Sequence, residues 1–461
     1  MAKHDRIDIF EQFPIPKAVM SMSVPTIVSS LVMVLYNLAD TYFVGLLNNP
    51  VQTSAVTLAA PLLLAFNAVN NLFGVGSSSM MSRALGKKDY DTVQRSSAFG
   101  FYCALACALL FSLIYTILKS PVLTLLGTDP ETAGSTAAYL RWTVSLGAAP
   151  AILNVVMAYL VRSEGESLHA SIGTMSGCLL NILLDPIFIL PWGLNMGASG
   201  AGLATCLSNC AACCYFFVLL FVRRGKTYVC VNPVMARPRK EIVIGVFGVG
   251  VPASIQNLLN VTGMTILNNF ASPFGPDAVA AFGIAQKISM IPMYIAMGVS
   301  QGLQPLVGYN YSSGNYRRMK DTIVFALKVF MLFMVTVTVG YLIGAGQLIR
   351  LFMENEAVVS YGSRFLQCLC LAQPFLCMDF LAVGVFQACG MGGKALLFAF
   401  LRKIVLEIPA LFILNAIWPL YGLACAQPVA ELVLAVVAMI VLARIFRKLS
   451  AKPDLIKHSH E

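Results

Sequence analysis

Long apolar runs separated by short polar breaks dominate the sequence, and they constrain the fold more than any other feature. Hydrophobic residues make up 58% of the 461 positions and charged residues 11%, whereas an average soluble domain carries about 25% charged residues. This composition excludes a soluble enzyme, a nucleic-acid-binding domain and a disordered scaffold. Each run is long enough to cross a bilayer as a helix, which takes roughly 20 residues.

We therefore predict an all-α polytopic membrane protein with twelve transmembrane helices. Strands are a poor alternative, because an isolated strand cannot satisfy its backbone in lipid, and the runs lack the alternation of a β-barrel, which has about ten residues per strand. The predicted spans are 15–45, 53–80, 92–118, 137–161, 167–190, 200–222, 241–270, 277–308, 320–346, 358–388, 395–418 and 421–446.

The lysines and arginines gather at alternate breaks between the spans. With the N-terminus placed in the cytoplasm, 26 of the 31 basic residues fall on the cytoplasmic side, four fall outside, and Lys287 lies within a span. Cytoplasmic loops of membrane proteins are enriched in these residues. We predict a multi-pass protein of the plasma (cytoplasmic) membrane with both termini cytoplasmic and no cleaved signal peptide. The net charge of +10 then reflects topology, and no nucleic-acid partner is expected.

Cysteine and histidine are distributed without the spacing of a metal or catalytic site. Nearly all 13 cysteines lie inside predicted spans, and the four histidines are scattered. A buried cysteine behaves as a small hydrophobe. No His-Glu-x-x-His pattern or paired histidine is present, so we expect neither an enzyme nor a cofactor.

The two halves of the chain resemble each other at an offset of about 226 residues, as when Val24-Pro25 recurs as Val251-Pro252. Six spans per half is an even number, so the repeats share one orientation, as in transporters built from parallel repeats. We predict an N-terminal lobe at 1–222, a basic cytoplasmic linker at 223–240 and a C-terminal lobe with a basic tail at 241–461. This pattern is typical of an alternating-access transporter, and we expect it to act as a monomer.

Five motifs together resemble the multidrug and toxic compound extrusion (MATE) family, within the multidrug/oligosaccharidyl-lipid/polysaccharide flippase superfamily. The resemblance covers essentially the whole chain. It implies a V-shaped antiporter of twelve helices that exports organic, often cationic compounds against a proton or sodium gradient. The motifs are Pro25 with Tyr36–Gly45, then Gly74–Gly86, Arg162–Gly165, Asn181–Pro186 and Gln301–Asn310.

Asp40 and Asp185 are the most informative charges, because a carboxylate at membrane depth costs several kcal/mol unless it is paired or hydrated. They lie about 35 and 27 Å along spans 1 and 5 from the inner side, at 1.5 Å per residue. Both therefore fall in the outer half of the N-terminal lobe, where Thr205 also lies. Asn181 precedes Asp185 by one helical turn and shares its face.

Two carboxylates in a lipid-shielded pocket should bind a proton near neutral pH, and the oxygens of this set also suit Na⁺. The coupling ion is thus predicted as H⁺ or Na⁺. The resemblance supports this, since Asp40, Asn181, Asp185 and Thr205 match positions of the family's N-lobe cation site. The alternative is structural: Asp40 caps a local break and Asp185 pairs with a neighbour.

Candidate substrate contacts combine flexible, aromatic and amide side chains. Thioethers can repack around different ligands, and aromatic faces beside a carboxylate suit a lipophilic cation. The candidates are Met33, Tyr36, Asn37, Asn154 and Met175. Tyr36, Asn154 and Met175 match family positions that line the N-lobe cavity. We expect small organic cations or drugs as substrates and the lipid bilayer as surroundings; plain core or lipid-facing packing is the alternative for each residue.

Pro25 is predicted as a hinge, because a proline inside a helix bends it. We hypothesise that protonation of Asp40 or Asp185 lets span 1 bend there and expel substrate.

The C-terminal lobe has a different set of charges. Leu267 replaces Asp40 in the repeat, and Gln256 stands where some relatives of the family have an acidic residue. The predicted cluster comprises Lys287, Glu407, Glu431, Asp379 and Gln256. Lys287, Glu407 and Glu431 reach mid-membrane by residue count, and Asp379 lies deeper toward the cytoplasm. A neutralised structural pair or triad is one interpretation, and a second titrating site is the other.

Two other transporter classes remain as alternatives. A lipid-linked oligosaccharide flippase of the same superfamily should have a strongly basic cavity for the pyrophosphate, yet Lys287 is outnumbered by five intramembrane acids. A major-facilitator transporter usually has Gly-x-x-x-Asp-Arg-x-Gly-Arg between spans 2 and 3, whereas residues 82–89 read Ser-Arg-Ala-Leu-Gly-Lys-Lys-Asp.

Overall fold

The computed structural model describes the backbone of residues 3–271, 276–352 and 355–450, and side chains within 7–260, 277–352 and 355–449. Within these ranges the chain forms helices and connecting turns without a strand, which confirms the all-α fold class. The predicted basic tail beyond residue 450 and the side chain of Leu267 lie outside the described residues.

The first half of the chain forms ten α-helices and two π-helical segments. The α-helices are α1 (Lys3–Glu11), α2 (Ile15–Gly45), α3 (Pro50–Val69), α4 (Gly76–Gly86), α5 (Tyr90–Ile117), α6 (Lys119–Leu125), α7 (Ala133–Leu140), α8 (Ala148–Ser163), α9 (Ser167–Ile189) and α10 (Ala198–Val222). A short 3₁₀ turn, Pro233–Ala236, follows in the linker.

The second half continues with eight α-helices. They are α11 (Lys240–Ala271), α12 (Pro276–Ser312), α13 (Tyr316–Arg350), α14 (Glu356–Cys370), α15 (Gln373–Ala388), α16 (Gly392–Phe400), α17 (Ile408–Ile417) and α18 (Tyr421–Ser450).

Side-chain caps begin several of these helices, as their sequences require. Asn49 accepts from the Val51 backbone N–H at 3.0 Å, Asp89 from Thr92 at 3.1 Å and Asn355 from Ala357 at 2.9 Å. Each cap satisfies a first-turn N–H that has no partner within the helix.

Nine helical stretches of the described chain are long and apolar enough to span a membrane, and two bent helix pairs raise the number to eleven. The pairs are Thr132–Leu146 with Ala148–Ser163, bent by 51°, and Glu356–Cys370 with Gln373–Ala388, bent by 43°. The remaining predicted span, 395–418, is interrupted by three charged residues, which lower its hydropathy. Large apolar side chains are widely exposed, such as Ile343 at 81%, as expected of helices that face lipid.

Three π-helical segments interrupt the helices: Asn70–Val75, Arg141–Leu146 and Leu401–Glu407. The helical pattern of the sequence did not predict them. A π-helical turn widens the backbone by one residue, rotates the following face and is often found at functional sites. One segment follows α7 and another carries the charges between α16 and α17, so both adjoin the sites described below.

The chain divides into two compact units, each built from two separate stretches of the sequence. The first comprises residues 1–12 and 28–254, and the second residues 13–27 and 255–461. Of the three internal boundaries, one lies between α1 and α2, and the other two lie within helices, close to Pro25 in α2 and Pro252 in α11. The predicted contiguous lobes, 1–222 and 241–461, stay a prediction.

Close backbone packing holds the first half of α11 in the first unit. A Cβ on Gly250 would lie 1.9 Å from the Leu72 carbonyl oxygen, and a Cβ on Gly76 would lie 2.4 Å from that of Val246. Only glycine permits such approaches, the usual basis of tight helix pairs in membranes. In the second unit, Phe282 and Phe365 pack edge to face in the apolar core.

Candidate ion and substrate site

Two carboxylates of the first unit, half-buried Asp40 and fully buried Asp185, form the centre of the candidate site. Asp185, on α9, has no exposed surface, and it is close enough to Asp40, on α2, for their charges to interact. The Oδ1 atom of Asp40 is buried and has no hydrogen-bond partner. Within the described chain neither carboxylate forms an ion pair with a basic side chain. A negative charge at this site would therefore have no basic side chain to balance it within the part of the chain that the structure describes.

Asn181 connects Asp185 to α10. With its amide oriented so that both ends are satisfied, Asn181 Nδ2 donates to Asp185 Oδ2 at 2.8 Å, and its oxygen lies 3.0 Å from the Thr205 backbone nitrogen. Thr205 in turn donates through Oγ1 to the Ala201 carbonyl at 2.9 Å. Asn181, Asp185 and Thr205 are thus adjacent, Asp40 is an electrostatic neighbour of Asp185, and the role of all four in coupling stays a prediction.

Two tyrosines complete this group. Tyr36, one turn before Asp40 on α2, hydrogen-bonds the Thr205 side chain and is an electrostatic neighbour of both aspartates. Tyr139, on α7, is 4% exposed and has Asp40, Tyr36 and Asp185 as its charged or polar neighbours. Sequence reasoning missed Tyr139. Its position in the membrane could have indicated it, because residue 139 lies near the start of the predicted span 137–161, at the same outer level as the aspartates.

The other predicted substrate residues differ in accessibility. Met33 is exposed, and exposed Asn37 donates to the Met33 carbonyl at 2.9 Å. Met175 is half-buried. Asn154 is buried and donates to the Asn209 side chain at 3.0 Å and to the Pro150 carbonyl at 2.8 Å. The amide donors of Asn154 are therefore already used, which suits a wall residue better than a direct donor to substrate.

Pro25 lies inside α2, half-buried, three residues before the boundary between the compact units. Because proline has no backbone N–H, the carbonyl one turn earlier lacks its helical donor. The location fits the predicted hinge, which stays a prediction.

A buried arginine organises the charges of the second unit. Arg402 Nη1 donates to Asp379 Oδ2 at 3.0 Å, and its Nε lies 3.9 Å from Glu431 Oε1. Its Nη2 donates to the Asn260 side chain, and the guanidinium lies over the Phe380 ring, 5.5 Å from the centroid. We call Arg402, Asp379 and Glu431 the Arg402 cluster. Its members have side chains only 1–5% exposed.

The cation predicted for this cluster was wrong. Lys287 on α12 is exposed and forms no ion pair with Glu407 or Glu431 among the described residues. Glu407 instead pairs with Lys403 at 2.7 Å, one turn away. The sequence reasoning assigned Arg402 and Lys403 to the cytoplasmic side, but the π-helical segment holds Arg402 within the fold, where two distant helices supply its counter-charges.

Gln256 belongs to a separate polar chain rather than to the charges. It accepts from Gln387 Nε2 at 3.3 Å, and Gln387 accepts from Gln304 at 2.9 Å. All three side chains are buried.

Comparison with known proteins identifies the protein family of this chain. The MatE family model matches residues 25–187 and again residues 252–413, so each match begins at one of the two helix prolines. The chain belongs to the MATE family. The double match also agrees with the internal repeat seen in the sequence.

Relatives of this MATE protein are similar over nearly their full length. The multidrug export protein MepA of Staphylococcus aureus (strain MRSA252) is 33% identical over 441 residues, which cover 95% of this chain and 96% of MepA. A MATE crystal structure in the straight conformation has a TM-score of 0.90 at 25% identity, covering 97% of this chain and 99% of that one. One in the bent conformation has a TM-score of 0.88 at 25% identity, covering 97% and 98%.

The MATE protein described here is therefore a multidrug efflux transporter built of membrane-spanning helices. Transport rather than catalysis is what its named relatives perform, which agrees with the expectation that the chain is not an enzyme.

Proposed function

We propose that this transporter exports lipophilic organic cations in exchange for protons, and that Asp40 and Asp185 couple the two flows. It works as a monomer in the plasma membrane with both termini in the cytoplasm. The observation that carries the proposal is a pair of neighbouring carboxylates without a basic partner among the described residues: Asp185 is fully buried, and half-buried Asp40 has a buried oxygen without a hydrogen-bond partner.

Burying an unpaired carboxylate costs several kcal/mol, so the site must acquire positive charge to be stable at membrane depth. A proton or a cationic substrate can supply that charge. If both cannot neutralise the same carboxylates at once, binding of one favours release of the other. Exchange then follows from competition at one site, without a separate coupling device.

The hydrogen bonds around Asp185 support a proton over Na⁺. In its satisfied orientation Asn181 presents its NH₂ group to Asp185 and turns its oxygen toward Thr205. A donor facing the carboxylate stabilises the charged form but adds no oxygen ligand for a metal ion.

The character of the same site supports a cationic substrate. Tyr36 offers an aromatic face beside two carboxylates, an arrangement that attracts organic cations. Exposed Met33 lies one turn earlier on α2 and can adapt to different shapes. A flippase for lipid-linked pyrophosphates fits less well, because this site is acidic. The name of the relative MepA, a multidrug export protein, agrees with drug substrates.

The test measures efflux of a fluorescent organic cation from proteoliposomes under an imposed proton gradient and then under an imposed sodium gradient. We expect the proton gradient alone to drive efflux, and Asp40→Asn and Asp185→Asn each to abolish it while cation binding partly survives. Asp321→Asn is the matched control, since Asp321 is an exposed carboxylate on α13.

Two results would overturn the assignment. Proton-driven efflux at the wild-type rate in both site variants would refute the roles of Asp40 and Asp185. Efflux that follows the sodium gradient and ignores the proton gradient would replace H⁺ with Na⁺ at this site.

A further inference from the structure

The linker between the two halves is bonded along its length to the first unit. Thr227–Val231, which we call the strap, follows α10 and precedes α11. Glu164, only 3% exposed, accepts from Thr227 Oγ1 at 2.8 and 2.9 Å and from the Tyr228 backbone N–H at 2.6 Å. The first two residues of the strap are therefore hydrogen-bonded to a buried carboxylate.

The next strap residues are bonded to α5. Ser97 Oγ accepts from the Cys230 backbone N–H at 3.0 Å and donates to the Cys230 carbonyl at 3.2 Å. The Tyr102 hydroxyl donates to the Val231 carbonyl at 2.8 Å. These contacts satisfy backbone groups that a mobile linker would leave to water.

Side-chain contacts also hold Tyr228 of the strap and the linker residues on either side of it. The rings of Tyr90 and Tyr228 stack with centroids 5.1 Å apart and planes 8° apart. Arg223, at the end of α10, pairs with Glu166 at 2.6 Å. Arg239, before α11, pairs with Asp91 at 2.8 Å.

The Arg162-Ser-Glu-Gly165 motif explains how Glu164 reaches the strap. Gly165 has a φ of +92°, in the region that favours glycine, and turns the chain between α8 and α9. The motif contributes nothing to the Asp40–Asp185 site, so its role has to be found elsewhere. Its carboxylate accepts from two donors of the strap, the Thr227 hydroxyl and the Tyr228 backbone N–H, and lies in the first unit.

We propose that Glu164, Ser97 and Tyr102 are positioning residues that keep the strap docked on the first unit throughout transport. The strap and the first half of α11, which packs through Gly250 against Leu72 and through Val246 against Gly76 of the same unit, then move as one body with that unit. The connection that bends lies within α11, near Pro252 and the boundary after Ser254. The inference depends on the transporter class alone and not on which ion is coupled.

A disulfide between residue 97 and native Cys230 tests the proposal directly. Ser97 Oγ bonds both backbone groups of Cys230, which brings the two residues within the Cα separation of about 4.4–6.8 Å that a disulfide requires. Oxidation of S97C vesicles should form the cross-link, seen as linked tryptic fragments, and leave efflux within about twofold of the reduced sample. The control is S97C with Cys230→Ser, which cannot form this disulfide.

Loss of efflux on oxidation, reversed by a reductant, would show that the strap must detach and would overturn the proposal. Failure of the disulfide to form would also count against it, because the docked strap requires the two residues to be adjacent.

A rescue experiment separates positioning from a general structural role. Glu164→Ala should expose the strap to trypsin at Lys226 and lower efflux about tenfold, while Glu164→Gln, which keeps an acceptor oxygen, should lose less. Forming the 97–230 disulfide in the Glu164→Ala background should restore efflux, because it docks the strap by another bond. Efflux that stays low in the cross-linked variant, or is normal in Glu164→Ala, would refute the positioning role.

Discussion

Replacing Arg402 with methionine should strongly destabilise the second unit. The guanidinium is 5% exposed and lies 3.0 Å from Asp379 and 3.9 Å from Glu431, which are 3% and 1% exposed. Removing it leaves two buried carboxylates without a counter-charge, and breaking a buried pair costs about 3–5 kcal/mol. Arg402→Met should therefore lower the free energy of unfolding by about that amount.

The net charge of the Arg402 cluster predicts which further substitutions should restore the stability lost in Arg402→Met. One guanidinium faces two carboxylates, so the cluster carries one excess negative charge, and Asp379 Oδ1 and Glu431 Oε2 are buried without partners. Glu431→Gln alone removes the excess charge and keeps the Arg402–Asp379 pair, so it should lower stability much less than Arg402→Met does. The variant with Arg402→Met, Asp379→Asn and Glu431→Gln contains no stranded charge and should recover most of the loss.

Equilibrium unfolding of the purified protein in detergent, followed by tryptophan fluorescence, measures these differences. Arg350→Met is the matched control, because Arg350 makes a 3.0 Å ion pair with Glu356 in which both side chains are more than half exposed. Such surface pairs contribute about 0–1 kcal/mol. Arg350→Met should therefore change the free energy of unfolding by no more than about 1 kcal/mol.

An Arg402→Met protein as stable as the wild type would refute the reasoning, as would a triple variant no more stable than Arg402→Met. The triple variant also decides between the two interpretations of the cluster. If the cluster is structural, each folded triple-variant molecule exports as fast as the wild type. Loss of ion-driven export in a well-folded triple variant would make it a second coupling site.

Three further changes test the first unit and the packing of the second. Asn181→Ala removes the 2.8 Å donor to Asp185, and since a hydrogen bond to a charged group contributes about 1.5–3 kcal/mol, proteoliposome efflux should fall at least about tenfold; an unchanged rate would contradict this. Tyr139→Phe removes a buried hydroxyl close to both aspartates and should slow proton-driven efflux while the thermal stability in detergent stays near that of wild type. Cys368 and Cys425 have sulfur atoms 3.3 Å apart, so mild oxidation should join them as a disulfide detectable by mass spectrometry; free thiols at both positions after oxidation would mean that α14 and α18 pack differently.

The membrane spans were predictable because hydropathy is a local property of about 20 consecutive residues. The pairing of Asn181 with Asp185 was predictable for a similar reason, since residues four apart share one helical face. The breaks inside spans were not. The predicted helix 137–161 is two helices separated by a π-helical segment, and no simple periodicity in the residues marks the extra backbone residue.

The Arg402 cluster shows why long-range charge pairing escaped the sequence. Counting basic residues by loop assigns an arginine near a span end to the cytoplasm. Whether Arg402 is buried depends on Asp379 and Glu431, which come from two other helices and are brought to it only by the fold. Lys287, the base that residue count placed at mid-membrane, is exposed instead.

The helix proline recurs in both halves of the chain, whereas the carboxylates proposed for coupling lie in the first half. α2 carries Pro25 and, fifteen residues or about 22 Å further along the helix, Asp40. A bend at Pro25 therefore redirects the segment that holds the carboxylate, and under the proposed coupling protonation of Asp40 favours that bend. α11 carries Pro252, but the repeat position of Asp40 is Leu267, so a bend there moves no titrating group of this kind. Under the proposed coupling, protonation of Asp40 acts on the bend in α2, and α11 has no equivalent carboxylate at the repeat position.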